Sequence, residues 1–365
     1  MKFNILRIVK SISPTSSALY AHSLQRLNYS NDKITIIDTK KSDIKNIELP
    51  ANLHIKQCNS SIYLFLLHTK NWLFEARKMN AVNVIHISSP LPGLLFCLTT
   101  IFRRNMPRIV FSIHNSFMNY RLLTLAAIFI LCLYSKKLIF VSQNAKCSFQ
   151  EKTIFRFLRS VKDSVVIDNG VDLELINPKR EYHIRSNLKP LRLIIVGRFV
   201  PQKNYPFLFK VLNELNIDYE CDIYGDGPEY EITKNLFDGL VASGRVRFYG
   251  VVQRKDIFHA FKRADVLLLM SKWEGLPVVL LEAMACGLIV IASKIPVHMD
   301  ISNNSSGVIC CNFDHNVIVD ELLKISLLDQ PDLNALRKDN IDAVCHFFSL
   351  ESMVNSYSRQ YEGVR

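Results

Sequence analysis

No two of the nine cysteines stand in a Cys-x-x-Cys spacing, so the sequence offers no paired-thiol metal or redox motif. Cys97, Cys132 and Cys286 fall inside apolar runs, and the cysteines read as reduced core residues of a cytosolic protein, the vicinal Cys310-Cys311 included. The longest apolar run, 122–134, is too short for a bilayer, which needs about 20 residues. Residues 1–14 alternate basic and apolar side chains like a first strand and show no small-residue cleavage site, so no secretory leader is expected. No nucleic-acid reader motif is visible, and no Asp-x-Asp string falls in a plausible site. Glycine is scarce, 12 residues in 365, about half the usual share, and gives no help with specificity.

What is present describes a globular chain with room for two domains of ordinary size, at 49% hydrophobic and 21% charged residues. The net charge of +12 is uneven: residues 1–185 hold 26 Lys and Arg against 11 Asp and Glu, and the remainder 19 against 22. A basic first half suits nucleic acid, an anionic membrane surface or an acidic substrate. Nucleic acid is set aside, because the charges are scattered.

Apolar strand candidates at 3–9, 34–38, 82–87, 108–113, 137–141 and 164–168 alternate with helical stretches, the pattern of a parallel sheet covered on both faces. Residues 46–58 are too mixed to assign. Ser13-Pro14-Thr15-Ser16-Ser17-Ala18 follows the first strand and reads in isolation as a cap on a helix through Leu27. His86 lies near the end of the strand candidate 82–87 and His114 follows that at 108–113; His86 reads as structural. Around 117–162 the apolar run is flanked by Arg121, Lys136 and Lys137 and followed by Lys146, Lys152, Arg156, Arg159 and Lys162. That stretch is either a core helix followed by a solvated one or a surface that docks on anionic lipid.

The most informative stretch is 271–287, Ser-Lys-Trp-Glu-Gly-Leu-Pro-Val-Val-Leu-Leu-Glu-Ala-Met-Ala-Cys-Gly. It follows an apolar strand, 266–270, and sets Gly-Leu-Pro at the start of a helix that Gly287 ends. Glu274 then lies on the loop at a strand's carboxyl end, the usual ligand position in open α/β sheets, and Glu282 lies just over a turn inside the helix. Two carboxylates flanking free N–H groups suit a ligand with both hydroxyls and phosphate. A nucleotide sugar is such a ligand.

This Glu274-to-Glu282 string, with Gly-Leu-Pro between, resembles family 4 of the retaining glycosyltransferases, bacterial surface-polysaccharide type (glycosyl transferases group 1). The resemblance covers nearly the whole chain, and Asn169-Gly170-Val171-Asp172 is similar to the family's usual string at the end of its first domain. It implies an α/β chain of GT-B fold: two Rossmann-like domains facing across a cleft, 1–180 on the acceptor side and 181–348 for the nucleotide sugar, with 349–365 a C-terminal helix crossing back to the first domain. Segment 173–190 reads as the linker.

By that resemblance Gly197, Arg198 and Lys203 form a diphosphate clamp with the Gly275 and Leu276 amides, while Gly225 and Val251 help enclose the nucleotide. Glu282 would bind ribose hydroxyls, and Glu274 and His114 the transferred sugar. Ser16 and Ser17 stand on the acceptor side where the family usually has adjacent glycines. The implied activity is retaining transfer of a hexosyl or N-acetylhexosaminyl group from a nucleotide-diphosphate sugar, the donor substrate, to a lipid-linked oligosaccharide or surface polysaccharide. No cofactor and no metal are expected, and the enzyme would sit peripherally on the inner face of the cell membrane. A nucleotide-sugar epimerase of the same fold and a non-catalytic scaffold remain alternatives.

Overall fold

The computed structural model describes residues 3–10, 32–39, 50–79, 81–100, 107–176 and 190–363. The chain divides into two units, Met1–Gly170 with Leu350–Arg365, and Val171–Ser349. Each is built on one parallel sheet.

In the first unit the strands are β1 (Phe3–Val9), β2 (Lys33–Asp38), β3 (Leu53–Gln57), β4 (Val82–Ile87), β5 (Arg108–Ile113), β6 (Lys137–Phe140) and β7 (Val165–Val166). Their order is β3-β2-β1-β4-β5-β6-β7. Every residue of the central β1 is buried, as expected of a parallel strand covered on both faces. The edge strand β3 alternates buried Leu53 with exposed His54 and Lys56, which is why its mixed composition carries no clear strand signal. At the other edge, β7 pairs with β6 at only two positions, so the strand expected over 164–168 is reduced to its centre.

The apolar run forms the helix Leu122–Tyr134. It buries Ala127, Ile128, Leu131 and Cys132 and leaves Leu122 and Leu123 85% and 68% exposed. It is thus a core helix with an uncovered apolar end.

The last helix, Leu350–Glu362, buries Leu350, Met353, Val354, Tyr357 and Tyr361, one stripe at helical spacing. That stripe packs on Phe3, Ile5, Val9, Val84 and Val110 of the first unit's sheet. A polar seam runs through this apolar contact. The His86 ring lies 2.8 Å from the Tyr361 hydroxyl through Nδ1 and 2.7 Å from Ser112 Oγ through Nε2, and Arg7 donates to Tyr361 at 3.3 Å. Burial and the nearby Arg7 hold His86 well below the ordinary histidine pKa, so the ring is neutral. The structural reading of His86 agrees with this place.

The second unit carries β8 (Leu191–Val196), β9 (Tyr219–Tyr224), β10 (Val246–Gly250), β11 (Val266–Leu269), β12 (Ile289–Ser293) and β13 (Val308–Cys311), in the order β10-β9-β8-β11-β12-β13. Chain order reverses direction between β8 and β11, a topological switch point whose crevice lies at the strands' carboxyl ends. The linker stretch opens with a short helix, Leu173–Ile176, on this unit.

Candidate functional site

Four loops meet at the carboxyl rim of the second sheet and are tied to one another by their backbones. The Gly197 amide donates to the Tyr224 carbonyl at 3.0 Å, Phe199 to Asp226 at 3.0 Å, Gly225 to Gly250 at 2.8 Å, and Lys272 to Gln202 at 2.8 Å. The approach of β8 to β9 leaves no room for a side chain. Gly225 has φ +138°, and a Cβ there would stand 1.9 Å from the Gly197 carbonyl oxygen. The loop after β8 makes one turn of 3-10 helix, Pro201–Lys203, then passes through Asn204 at φ 58° into the helix Tyr205–Glu214. Tyr205 stacks on Phe199 with ring centroids 4.2 Å apart and donates its hydroxyl to the Gly197 carbonyl at 3.0 Å.

This scaffold brings Lys203 to Glu274. Nζ lies 2.7 Å from Oε1, and the two side chains are only 15% and 11% exposed. Gln202 completes the arrangement, its Nε2 donating to the Trp273 carbonyl at 2.7 Å and to Glu274 Oε2 at 3.1 Å. Two adjacent residues of one loop thus hold the backbone and the carboxylate of another.

Beyond Glu274, Pro277 caps the helix Val278–Ala285, and Gly287, at φ 76°, ends it. The Gly287 amide returns to Met284 and that of Leu288 to Ala283, a Schellman-type stop. The amides of Gly275 and Leu276 donate to no group among the described residues, as an anion-binding helix entrance requires. Inside the helix, Glu282 is buried and its carboxylate is bonded by Arg254, the first residue of the helix Arg254–Phe261. Burial pushes the Glu282 carboxyl above its ordinary pKa, and Arg254 opposes that shift.

Of the other expected residues, Arg198 is exposed and makes no ion pair with a described residue, so its charge is available. Val251 projects from the loop after β10, 75% exposed. His114 follows β5 in the first unit. Its ring is half-buried but Nε2 is closed from solvent without a partner among the described residues, and burial lowers its pKa to about 4, leaving it neutral. The His114 and Asn115 amides both donate to the Tyr120 hydroxyl, at 3.3 and 3.1 Å, which fixes the backbone there. Ser16 and Ser17 lie outside the described residues.

Three residues at the rim escape the sequence reading. Gln202 and His298 look unremarkable in the sequence. His298 is fully buried, its Nδ1 lies 2.8 Å from the Ser293 carbonyl and its Nε2 has no partner among the described residues. Burial brings its pKa down to about 4, against the Ser293 hydrogen bond, and smaller opposing effects of Glu274 and Lys203 show that the ring shares the field of that pair. Arg254 had a signal: a cation at a helix's first position opposes the macrodipole and needs another reason to be there.

Residues 179–341, most of the second unit, match the model of the family Glycosyl transferases group 1. An uncharacterized 41.2 kDa protein of the cps region in Klebsiella pneumoniae is 26% identical over 60% of this chain and 58% of its own. The Escherichia coli UDP-Gal:alpha-D-GlcNAc-diphosphoundecaprenol alpha-1,3-galactosyltransferase is 29% identical over 54% of this chain and 53% of its own. The chain therefore spans about half the length of these curated relatives. HepE of Anabaena, solved in complex with UDP-glucose, superposes over 99% of both chains with a TM-score of 0.78 at 16% identity. The family match lies within the second unit, and the chain has the GT-B fold with its two Rossmann-like units.

Proposed function

We propose that the protein is a retaining glycosyltransferase that moves a sugar from a nucleotide-diphosphate sugar to a lipid-linked oligosaccharide or surface-polysaccharide acceptor. The observation that carries this reading is the convergence, at one sheet rim, of the Lys203–Glu274 pair, the buried Glu282 and the free Gly275 and Leu276 amides. Such a rim offers cations and N–H groups to a diphosphate and carboxylates to hydroxyls, the two chemistries a nucleotide sugar presents. The UDP-glucose held by HepE supports the donor class, and the diphosphoundecaprenol-linked substrate named for the E. coli relative supports the acceptor class.

In this reading Arg198, Lys203 and the two amides stabilise the leaving diphosphate, Glu282 holds the ribose, and Glu274 orders the transferred sugar. The bond from the anomeric carbon to the phosphate oxygen breaks, and the acceptor oxygen bonds the same carbon from the same face. The leaving phosphate takes the acceptor's proton, so the balance needs no cofactor.

We place the protein peripherally on the inner membrane face. No helix among the described residues is long and apolar enough to cross a membrane. Support comes from exposed Met118, Leu122, Leu123, Ile154 and Phe157 in a stretch that also carries Arg121, Lys152, Arg156 and Arg159.

The test is thermal stabilisation of purified protein by a panel of nucleotide diphosphates and nucleotide sugars, followed by transfer from the stabilising donor to lipid-linked acceptors. Ligand at a hundred times its Kd adds about 2.7 kcal/mol. Binding of no donor and transfer to no acceptor overturn the reading in favour of a scaffold. Turnover of donor without an acceptor points to an epimerase.

A further inference from the structure

Arg254 and Glu282 form an ion pair that stability alone does not explain. Their side chains are 14% and 10% exposed. Arg254 Nε is buried without a hydrogen-bond partner among the described residues, and the guanidinium lies 5.5 Å from the Phe258 ring centroid. A buried ion pair costs desolvation that an apolar pair of the same volume avoids, and one left with an unsatisfied N–H costs more. The pair also stands where the helix dipole opposes a cation. A charge kept in such a place has work to do on its neighbour.

We propose that Arg254 is a positioning residue: its guanidinium holds the Glu282 carboxylate ionised and oriented, so that both oxygens accept the paired ribose hydroxyls of a bound nucleotide. The inference rests on the donor-site reading above and gives that site a member on the helix after β10. A carboxylate can accept two hydroxyl hydrogen bonds, whereas a protonated carboxyl must donate at one oxygen. Burial alone drives Glu282 toward the protonated form.

The groups around Glu282 leave this task to Arg254. Cys286, one turn along the same helix, acts on it weakly, with its thiol pushed up to about 12 by burial. Lys262, at the far end of Arg254's helix, donates to the Ile176 carbonyl. The helix Gln330–Phe347 packs on the Glu282 helix through Ala343 and Val344, and its Arg337 is bonded to Asp265 at 2.8 Å. Glu174, on the short helix packed there, is exposed. The neighbouring strands β11 and β12 carry no titratable side chain.

Two measurements on the full chain test the proposal with Arg254→Lys and Arg254→Met. The first is a 13C-carboxyl NMR titration of Glu282 in the unliganded protein, with the signal identified by its loss in Glu282→Gln. Arg254→Met is expected to raise the midpoint by about one unit or more, a tenfold change in proton affinity, and Arg254→Lys to restore most of it. The second is the Kd of uridine diphosphate and guanosine diphosphate from pH 5 to 8, each variant compared with wild type at the same pH. The Arg254→Met defect relative to wild type should be roughly tenfold one pH unit below the variant's own midpoint and shrink as rising pH ionises Glu282. An unchanged midpoint, or an affinity loss equal at every pH and not rescued by lysine, overturns the positioning role and leaves the donor site standing. Failure of wild-type protein to bind either nucleotide removes the donor-site reading, and the positioning role with it.

Discussion

Lys203 reaches across from the loop after β8 to meet Glu274 on the loop after β11 at 2.7 Å. The two groups read as phosphate-binding and sugar-binding neutralise each other. A bound donor then meets a cation and a carboxylate already fixed in place, so less ordering cost falls on binding. Lys203→Met is expected to weaken nucleotide-diphosphate binding at least tenfold, about 1.4 kcal/mol. The same change strands a mostly buried carboxylate and should lower unfolding stability by about 3 kcal/mol. Glu274→Gln should leave nucleotide-diphosphate affinity within about threefold and cut transfer about a hundredfold, the scale of losing one group that acts on the reacting sugar. Calorimetry and initial rates separate the two; equal losses in both variants would refute the division of roles.

His298 predicts an acid sensitivity. Its pKa in the folded protein, about 4, lies below that of an unfolded histidine, so the unfolded chain binds the proton more readily. The stability that follows is complete above pH 6.5 and is lost as pH falls toward 4. Between pH 7.5 and 5 it amounts to roughly 2 kcal/mol. Urea denaturation of wild type and His298→Gln at both pH values checks this: the variant should lose less on acidification, and an identical loss would show that His298 is not the titrating group.

Tyr361→Phe removes a hydroxyl 2.8 Å from His86 Nδ1 and leaves that nitrogen buried without this partner. The expected cost is about 1–3 kcal/mol, the penalty for a buried polar atom left unsatisfied. Hydrogen exchange should localise the effect to the first unit, with faster exchange in the Leu350–Glu362 helix. Uniform acceleration through β8 to β13 would contradict it.

For the membrane, Leu122→Gln with Leu123→Gln should lower binding to anionic phospholipid vesicles about tenfold or more. These two side chains are mostly exposed, and burying each contributes on the order of 1.5 kcal/mol. Thermal stability should change little, because the core residues of that helix are Ala127, Ile128, Leu131 and Cys132. Unaltered vesicle binding would remove this surface from the membrane reading.

How much of this was legible in the sequence follows from what each residue answers to. The central strands and the helix Val278–Ala285 announce themselves, because burial on both faces forces continuous apolar runs and a stop at Gly287 forces a glycine. β3 did not, since an edge strand alternates and a single polar insertion blurs it. Glu274, Glu282 and Lys203 stand out as candidates because they sit within strings of fixed spacing on their own loops. Arg254, Gln202 and His298 were not, because their meaning comes from neighbours 28, 72 and 24 positions away, and no local pattern reports such a pairing. The one local hint, a cation at a helix start, is an energetic oddity of a few tenths of a kcal/mol to about 1 kcal/mol.

The first unit is closed by the last helix of the chain, whose Met353, Tyr357 and Tyr361 fill the same core as Phe3 and Ile5. During synthesis β1 therefore leaves the ribosome long before the segment that covers it exists, and the whole second unit is made in between. The second unit can complete its core first, and the first unit waits with an apolar sheet face unsealed until the helix Leu350–Glu362 emerges. The unit whose synthesis begins first is the one whose folding ends last, so a chain truncated before position 350 would carry a finished second unit beside a first unit prone to aggregate.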